Sequence, residues 1–300
     1  MKESCEQCPR KCGTNRENKV GFCGVPWDFC VARASLHQWE EPSISGSCGS
    51  GTIFFAGCNL HCVFCQNREI SHGENRGRAL SAEQLEALML HLRDSGAHNI
   101  NLVTPTPYAE QLIPVLRTVK PKLEIPVVYN CGGYESIDTL RALDGLVDIY
   151  LPDIKYLSPT LSARYSSAED YFPVALAALH EMLNQTGKPI FDNTGLLTRG
   201  TIVRHLVLPA CREDSMNLLS NLSEQFGNNA FLLSLMSQYT PDFAKHTPYP
   251  NLHRRLTAFE YDSVLAHARR LGFDGYFQAR SSATNAYTPN FQEEDLMKQI

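Results

Sequence analysis

Three cysteines, Cys58, Cys62 and Cys65, stand on one short segment, GCNLHCVFCQN, with the spacing C-x3-C-x2-C. Thiolates this close in sequence can each take one iron of a [4Fe–4S] cubane. Three thiolates leave the fourth iron without a protein ligand, open to an amino and a carboxylate group from outside. Zinc is the alternative occupant. It takes four Cys or His ligands, and His61 is at hand, but His61 adjoins Cys62 and would point elsewhere. Phe64, directly before the last cysteine, would shield a cluster from water.

A second set, Cys5, Cys8, Cys12 and Cys23, has the spacing C-x2-C-x3-C-x10-C. Four ligands in this pattern suit a closed tetrahedral zinc site or a second iron–sulfur cluster, with Gly13, Gly21 and Gly24 allowing tight turns around it. Zinc would stabilise a module too small for its own core; a cluster would relay electrons. Reactive or loose thiols are the remaining reading. Cys30 and Cys48 are replacement ligands, whereas Cys131 and Cys211 read as buried apolar residues. The chain has 11 cysteines, and only these last two lie beyond residue 65. Crowding of this kind favours metal binding over a disulfide framework, which belongs to short secreted chains.

The elements that must position these groups follow from patterning. The 300 residues are 43% hydrophobic and 20% charged, enough for a sizeable core. The net charge of −5 argues against bulk nucleic-acid binding. No apolar run reaches a membrane span, and the polar, cysteine-rich start lacks the apolar stretch of a secretory signal, so a cytoplasmic protein is expected. Residues 1–30 read as a cysteine-rich metal-binding module and 31–51 as a connector. Residues 52–250 read as the core, and 251–300 as a C-terminal helix and tail packing on it. From TIFFAG (52–57) onward, short apolar runs alternate with amphipathic helices. Ser81 and Gln84 form a capping box before the stripe Leu85, Leu88, Met89 and Leu92. Thr257 and Glu260 repeat that signal near the end. Six strand–helix units in succession predict an α/β fold, an open or partial (β/α) barrel, with a doubly wound sheet as the alternative. Either places chemistry at the C-terminal ends of the strands, and the triad follows the first of them.

The spacing C-x3-C-x2-C, with an aromatic residue before the third cysteine, resembles the signature of the radical S-adenosylmethionine (SAM) superfamily. The longer string GSGTIFFAGCNLHCVFCQNREIS, with NINLVTPTPY, YNCGGY, DIYLPDIKY and RHLVLP downstream, is similar to a narrower group, pyruvate formate-lyase activating enzyme homologues. The resemblance covers nearly the whole chain. It implies a partial (β/α)6 barrel, SAM as cosubstrate with its adenine near Phe64, and an external electron donor of the flavodoxin or ferredoxin type. It implies an oxidoreductase that generates a 5′-deoxyadenosyl radical. For glycyl-radical activating enzymes it implies hydrogen abstraction from a glycine Cα of a protein substrate. A small-molecule or other peptide substrate, and a non-catalytic iron–sulfur or zinc protein, are the alternatives.

Activating enzymes carry Gly-Gly-Glu-Pro after the second strand; here the position reads Thr104-Pro105-Thr106-Pro107. Thr104 and Thr106 keep hydroxyl acceptors for the cosubstrate amino group, or act only as caps of a turn. After the third strand Asn130 keeps an amide oxygen in place of an acid, and Gly132 and Gly133 would let backbone approach a ligand. Asp153 and Lys155 match the family's acid-x-lysine: Lys155 for the cosubstrate carboxylate, Asp153 for a ribose hydroxyl or a cation. A surface ion pair is the alternative reading of the two. Arg204 and His205 fall on opposite faces of a strand, and Gln238 and Tyr239 end the last one.

Overall fold

The computed structural model describes residues 4–279 and Phe291. The start of the expected module and most of the expected C-terminal tail lie outside the described residues. In chain order the elements are β1 (Phe29–His37), α1 (Pro42–Ser45), β2 (Ser50–Phe55), α2 (Arg68–Ser71), β3 (Arg78–Leu80), α3 (Ala82–Asp94), β4 (Ile100–Val103), α4 (Ala109–Leu123), β5 (Val127–Cys131) and α5 (Ile137–Ala142). They continue with β6 (Ile149–Pro152), α6 (Pro159–Ser166), α7 (Tyr171–Thr186), β7 (Ile190–Phe191), β8 (Leu197–Leu206), α8 (Arg212–Phe226), β9 (Leu232–Met236), α9 (Ala258–Arg270) and β10 (Gly275–Phe277).

One sheet runs β10-β9-β8-β6-β5-β4-β2-β1-β3. From β2 to β10 every neighbouring pair along this path is parallel, while β1 and β3 extend the other edge antiparallel. The sheet curls without closing, a partial (β/α) barrel as the sequence predicts. Helices cover its outer face, since parallel strands joined by crossovers must bury both sides. The outward residues Tyr129, Tyr150, Val203 and Leu233 are fully buried beneath those helices.

Both capping boxes form: Ser81 with Gln84 opens α3, and Thr257 with Glu260 opens α9. The expected stripe of α3 is buried throughout.

The inner face is layered. Val128, Ile149, Ile202 and Leu232 fill its lower end together with Ile44 of α1. Above them the alternation of side chains brings Asn130, Leu151, Arg204 and Ser234 into one layer. The register pairs Asn130 with Leu151, and Arg204 with both Asp153 and Ser234.

Residues 31–51 do more than connect. They supply most of β1, and the turn before α1 runs into the barrel so that Ile44 stoppers its base. Residues 4–28 carry neither helix nor strand, and they sit against the upper rim. Arg16 and Gln7 both donate to the carbonyl of Pro107, and Thr139 Oγ1 donates to the carbonyl of Gln7 at 2.7 Å. Phe291 packs its ring edge-on against Phe54 at 5.6 Å. Among the described residues no helix is long and apolar enough to cross a membrane.

Candidate active site

The loop after β2 carries Cys58, Cys62 and Cys65 onto the wall of a cavity of about 400 Å³ at the C-terminal ends of the parallel strands. That volume suits a drug-sized ligand. Each sulfur has a polar neighbour. Leu60 N–H donates to Cys58 Sγ at 3.3 Å, while Ser166 Oγ lies 3.0 Å from Cys62 Sγ and Ser71 Oγ 3.4 Å from Cys65 Sγ. Burial, reinforced by the Cys62 thiol, pushes Cys58 up and raises Cys65 to about 11. Gly57 makes the approach to the loop possible. It sits at φ +81°, and a Cβ there would stand 2.7 Å from the carbonyl of Cys23.

The strand-end residues lie on the wall of this cavity as well. Thr104, Asn130, Asp153 and Lys155 line the same cavity as the three thiols, as does Phe64. Thr104 has φ +58°, a costly conformation for a β-branched residue. Its amide donates to the carbonyl of Asn130 at 2.9 Å, which fixes it there. Lys155 is ion-paired with Asp153. Burial alone would lower the ammonium; the Asp153 carboxylate overrides it and holds Lys155 charged, above its ordinary range. Tyr171 pins this corner: its hydroxyl lies 2.8 Å from Gly132 O and 2.7 Å from Asp153 O, and it accepts from Lys155 N–H at 3.2 Å.

Some expected residues fall elsewhere. Thr106 is buried in a short 3-10 turn outside the cavity, and its hydroxyl donates to Glu135 at 2.8 Å. Gly133 makes its close approach to the protein rather than to a ligand, since a Cβ there would meet Asp153 O at 2.2 Å. Arg204 lines the cavity, whereas His205 faces the helices and bonds Ile154 O and Ser215 Oγ. Gln238 and Tyr239 line it too, although the Tyr239 hydroxyl donates away from it, to Leu252 O at 2.6 Å. His61 stacks on Phe22, with ring centroids 4.1 Å apart.

Sequence reasoning missed Glu40 and Glu41. Both reach Arg204 on the inner wall, Glu41 through two contacts of 2.6 and 2.8 Å. Asn101 Nδ2 also donates to Glu40 at 2.8 Å. The signal was an arginine inside an apolar strand, which needs a buried partner. Glu135 was missed as well. It is buried beneath the Thr-Pro-Thr-Pro segment, and burial raises its carboxyl to about 8.

The N-terminal thiols lie within electrostatic reach of one another. Burial pushes Cys8 up to about 12, with Cys5 and Cys23 adding to the effect. Cys23 is raised by burial and by Cys5 and Cys12. Cys48 lies apart from them, beside His98. Among the described residues no three Cys, His, Asp or Glu side chains close on one point as a single ion requires. A cubane needs a wider set, since each thiolate meets a different iron.

The family model of the Radical SAM superfamily matches residues 52–200. An uncharacterized protein of Methanocaldococcus jannaschii is 32% identical over 286 residues, which span 91% of this chain and 76% of that protein. Among solved structures, a domain of a pyruvate-formate lyase-activating enzyme from Bacteroides vulgatus is 10% identical. That match spans 57% of this chain and 91% of the other, at a TM-score of 0.42. Methylornithine synthase is 16% identical over 71% of this chain and 59% of its own, at 0.49. The superfamily uses a [4Fe–4S] cluster and SAM, and the donor set fits them. Burial, with Cys62 adding to it, raises the Cys58 and Cys65 thiols, so these two need positive charge to become thiolates, and iron supplies it.

Proposed function

We propose, on the premise that this chain belongs to the radical SAM superfamily, that it cleaves SAM reductively at a [4Fe–4S] cluster held by Cys58, Cys62 and Cys65. When bound, the cluster supplies the electron that breaks the sulfur–carbon bond, yielding methionine and a 5′-deoxyadenosyl radical. The protein's task is to orient and shield. Lys155 meets the cosubstrate carboxylate, and Asp153 keeps Lys155 in place and offers an oxygen to a ribose hydroxyl or a cation. Thr104 and Asn130 present oxygen acceptors to the amino group. Phe64 covers the adenine side and excludes water. Thr106 takes no part, because its hydroxyl is committed to Glu135.

The observation that carries this reading is the shared cavity, lined both by the three thiols and by the Asp153–Lys155 ion pair. The radical abstracts hydrogen. The resemblance to activating enzymes supports a glycine Cα of a partner enzyme as its target, with a flavodoxin- or ferredoxin-type donor supplying electrons. The charged inner wall of Arg204, Glu40 and Glu41 favours a second reading, a small polar substrate inside the barrel. Free thiols in this number suit a reducing, cytoplasmic setting.

The test is 5′-deoxyadenosine formation by anaerobically reconstituted protein with titanium(III) citrate and SAM. Cys58→Ala, Cys62→Ala and Cys65→Ala should each abolish it. Full activity in any of the three variants defeats the assignment.

A further inference from the structure

The N-terminal cysteines are joined to the triad more closely than a separate structural module needs. The amide of Cys58 donates to the carbonyl of Cys23 at 3.2 Å, so one residue from each set shares a hydrogen bond. Arg10, between Cys8 and Cys12, spans the same seam. Its Nε donates to Asn59 O at 2.9 Å, and its other nitrogens reach Ser166 O and Ser167 O. Ser166 is also the hydroxyl beside Cys62. Phe22, next to Cys23, stacks on His61, next to Cys62. The set is graded from outside to inside. Cys12 is exposed, Cys5 and Cys8 are buried, and Cys23 lies against the triad loop.

We propose that Cys5, Cys8, Cys12 and Cys23 hold a second iron–sulfur centre that passes single electrons to the Cys58/Cys62/Cys65 site across the Cys23–Cys58 hydrogen bond. This inference rests on the reading under Proposed function. The electron comes from a flavodoxin- or ferredoxin-type protein, which is oxidised by one electron per event. It enters near exposed Cys12, reduces the N-terminal centre and leaves beside Cys23, which returns that centre to its starting state. It ends in the sulfur–carbon bond of SAM, which breaks. No proton moves along the route. Zinc at the same four thiols would brace the loop but carry no electron, so the two occupants make opposite predictions.

The full-length protein, reconstituted anaerobically, should contain about eight iron and eight sulfide per chain. Its reduced form should give two paramagnetic signals, only one of which shifts when SAM is added. About four iron with one zinc overturns the proposal. Cys8→Ser and Cys12→Ser should lower the ratio of flavodoxin-driven to titanium(III)-driven 5′-deoxyadenosine formation by about tenfold or more. Equal losses with both reductants mean a structural brace and also overturn it. If the variants do not fold, the iron count and the two signals of the unmodified protein decide. Doubled iron without cleavage under either reductant sinks the radical reading, and the relay with it, while the spectrum still identifies the second centre. The two failures are therefore told apart.

Discussion

Arg204 Nε and Glu41 Oε1 lie 2.8 Å apart on the inner wall of the barrel, although 163 residues separate them in the chain. The contact ties the turn before α1 to the C-terminal end of β8. Burial alone would raise the Glu41 carboxyl, but the Arg204 charge and its hydrogen bonds outweigh burial and hold it below the ordinary glutamate range.

Removing Arg204 leaves two buried carboxylates facing each other. Arg204→Leu should cost about 3–5 kcal/mol of unfolding free energy, measured by denaturant titration. Adding Glu40→Gln and Glu41→Gln to that variant should recover most of the loss. The pH dependence has a definite sign. A depressed carboxyl stabilises the fold above its unfolded pKa, and that stability is lost as pH falls through the folded one. Glu41→Gln should therefore flatten the acid limb of the stability profile. An unchanged limb would show that the pair does not couple to folding.

Glu135 titrates in the opposite sense. Burial raises its carboxyl from the ordinary 4.5 to about 8, against the pull of hydrogen bonds from Thr106 and Tyr129. A raised folded pKa contributes stability that is full below the unfolded value and is lost as pH rises through the folded one. Thermal stability should fall between about pH 4.5 and 8, and Glu135→Gln should remove that slope.

Lys155→Met should raise KM for SAM by about ten- to a hundredfold, the loss of one charge-assisted contact. Iron content should stay at the unmodified level. A KM that does not move rules out Lys155 as the carboxylate partner.

Gly133→Ala should weaken SAM binding without touching a ligand. Its φ is +79°, and the new methyl would displace the Asp153 carbonyl, which Tyr171 holds beside Lys155. Binding calorimetry on the holoprotein should show weaker affinity, with helix content by circular dichroism preserved.

Much of this architecture is legible in local signals. The capping boxes at Ser81 and Thr257 work within four residues, so they can be read without knowing the fold. The strand ends at Asn130, Asp153 and Arg204 follow from short apolar runs. β1 was hidden because its residues follow the cysteine-rich stretch and read as linker. α6 was hidden in a polar loop, being only eight residues long. Glu40 and Glu41 precede a helix of one turn, with no periodicity to mark them. Their role depends on β8, and no window of sequence spans that distance. Thr106 was misplaced because a residue list does not say which way a 3-10 turn will face.

The plug at Ile44 has a kinetic consequence. With Ile44 filling the base of the barrel, the lower end offers no way to the inner wall. On the small-substrate reading, a molecule beside Arg204 enters before SAM takes its place near the thiols and leaves after it. That reading predicts a compulsory order, last in and first out. Initial-rate patterns should display it as competitive inhibition by one product and noncompetitive inhibition by the other.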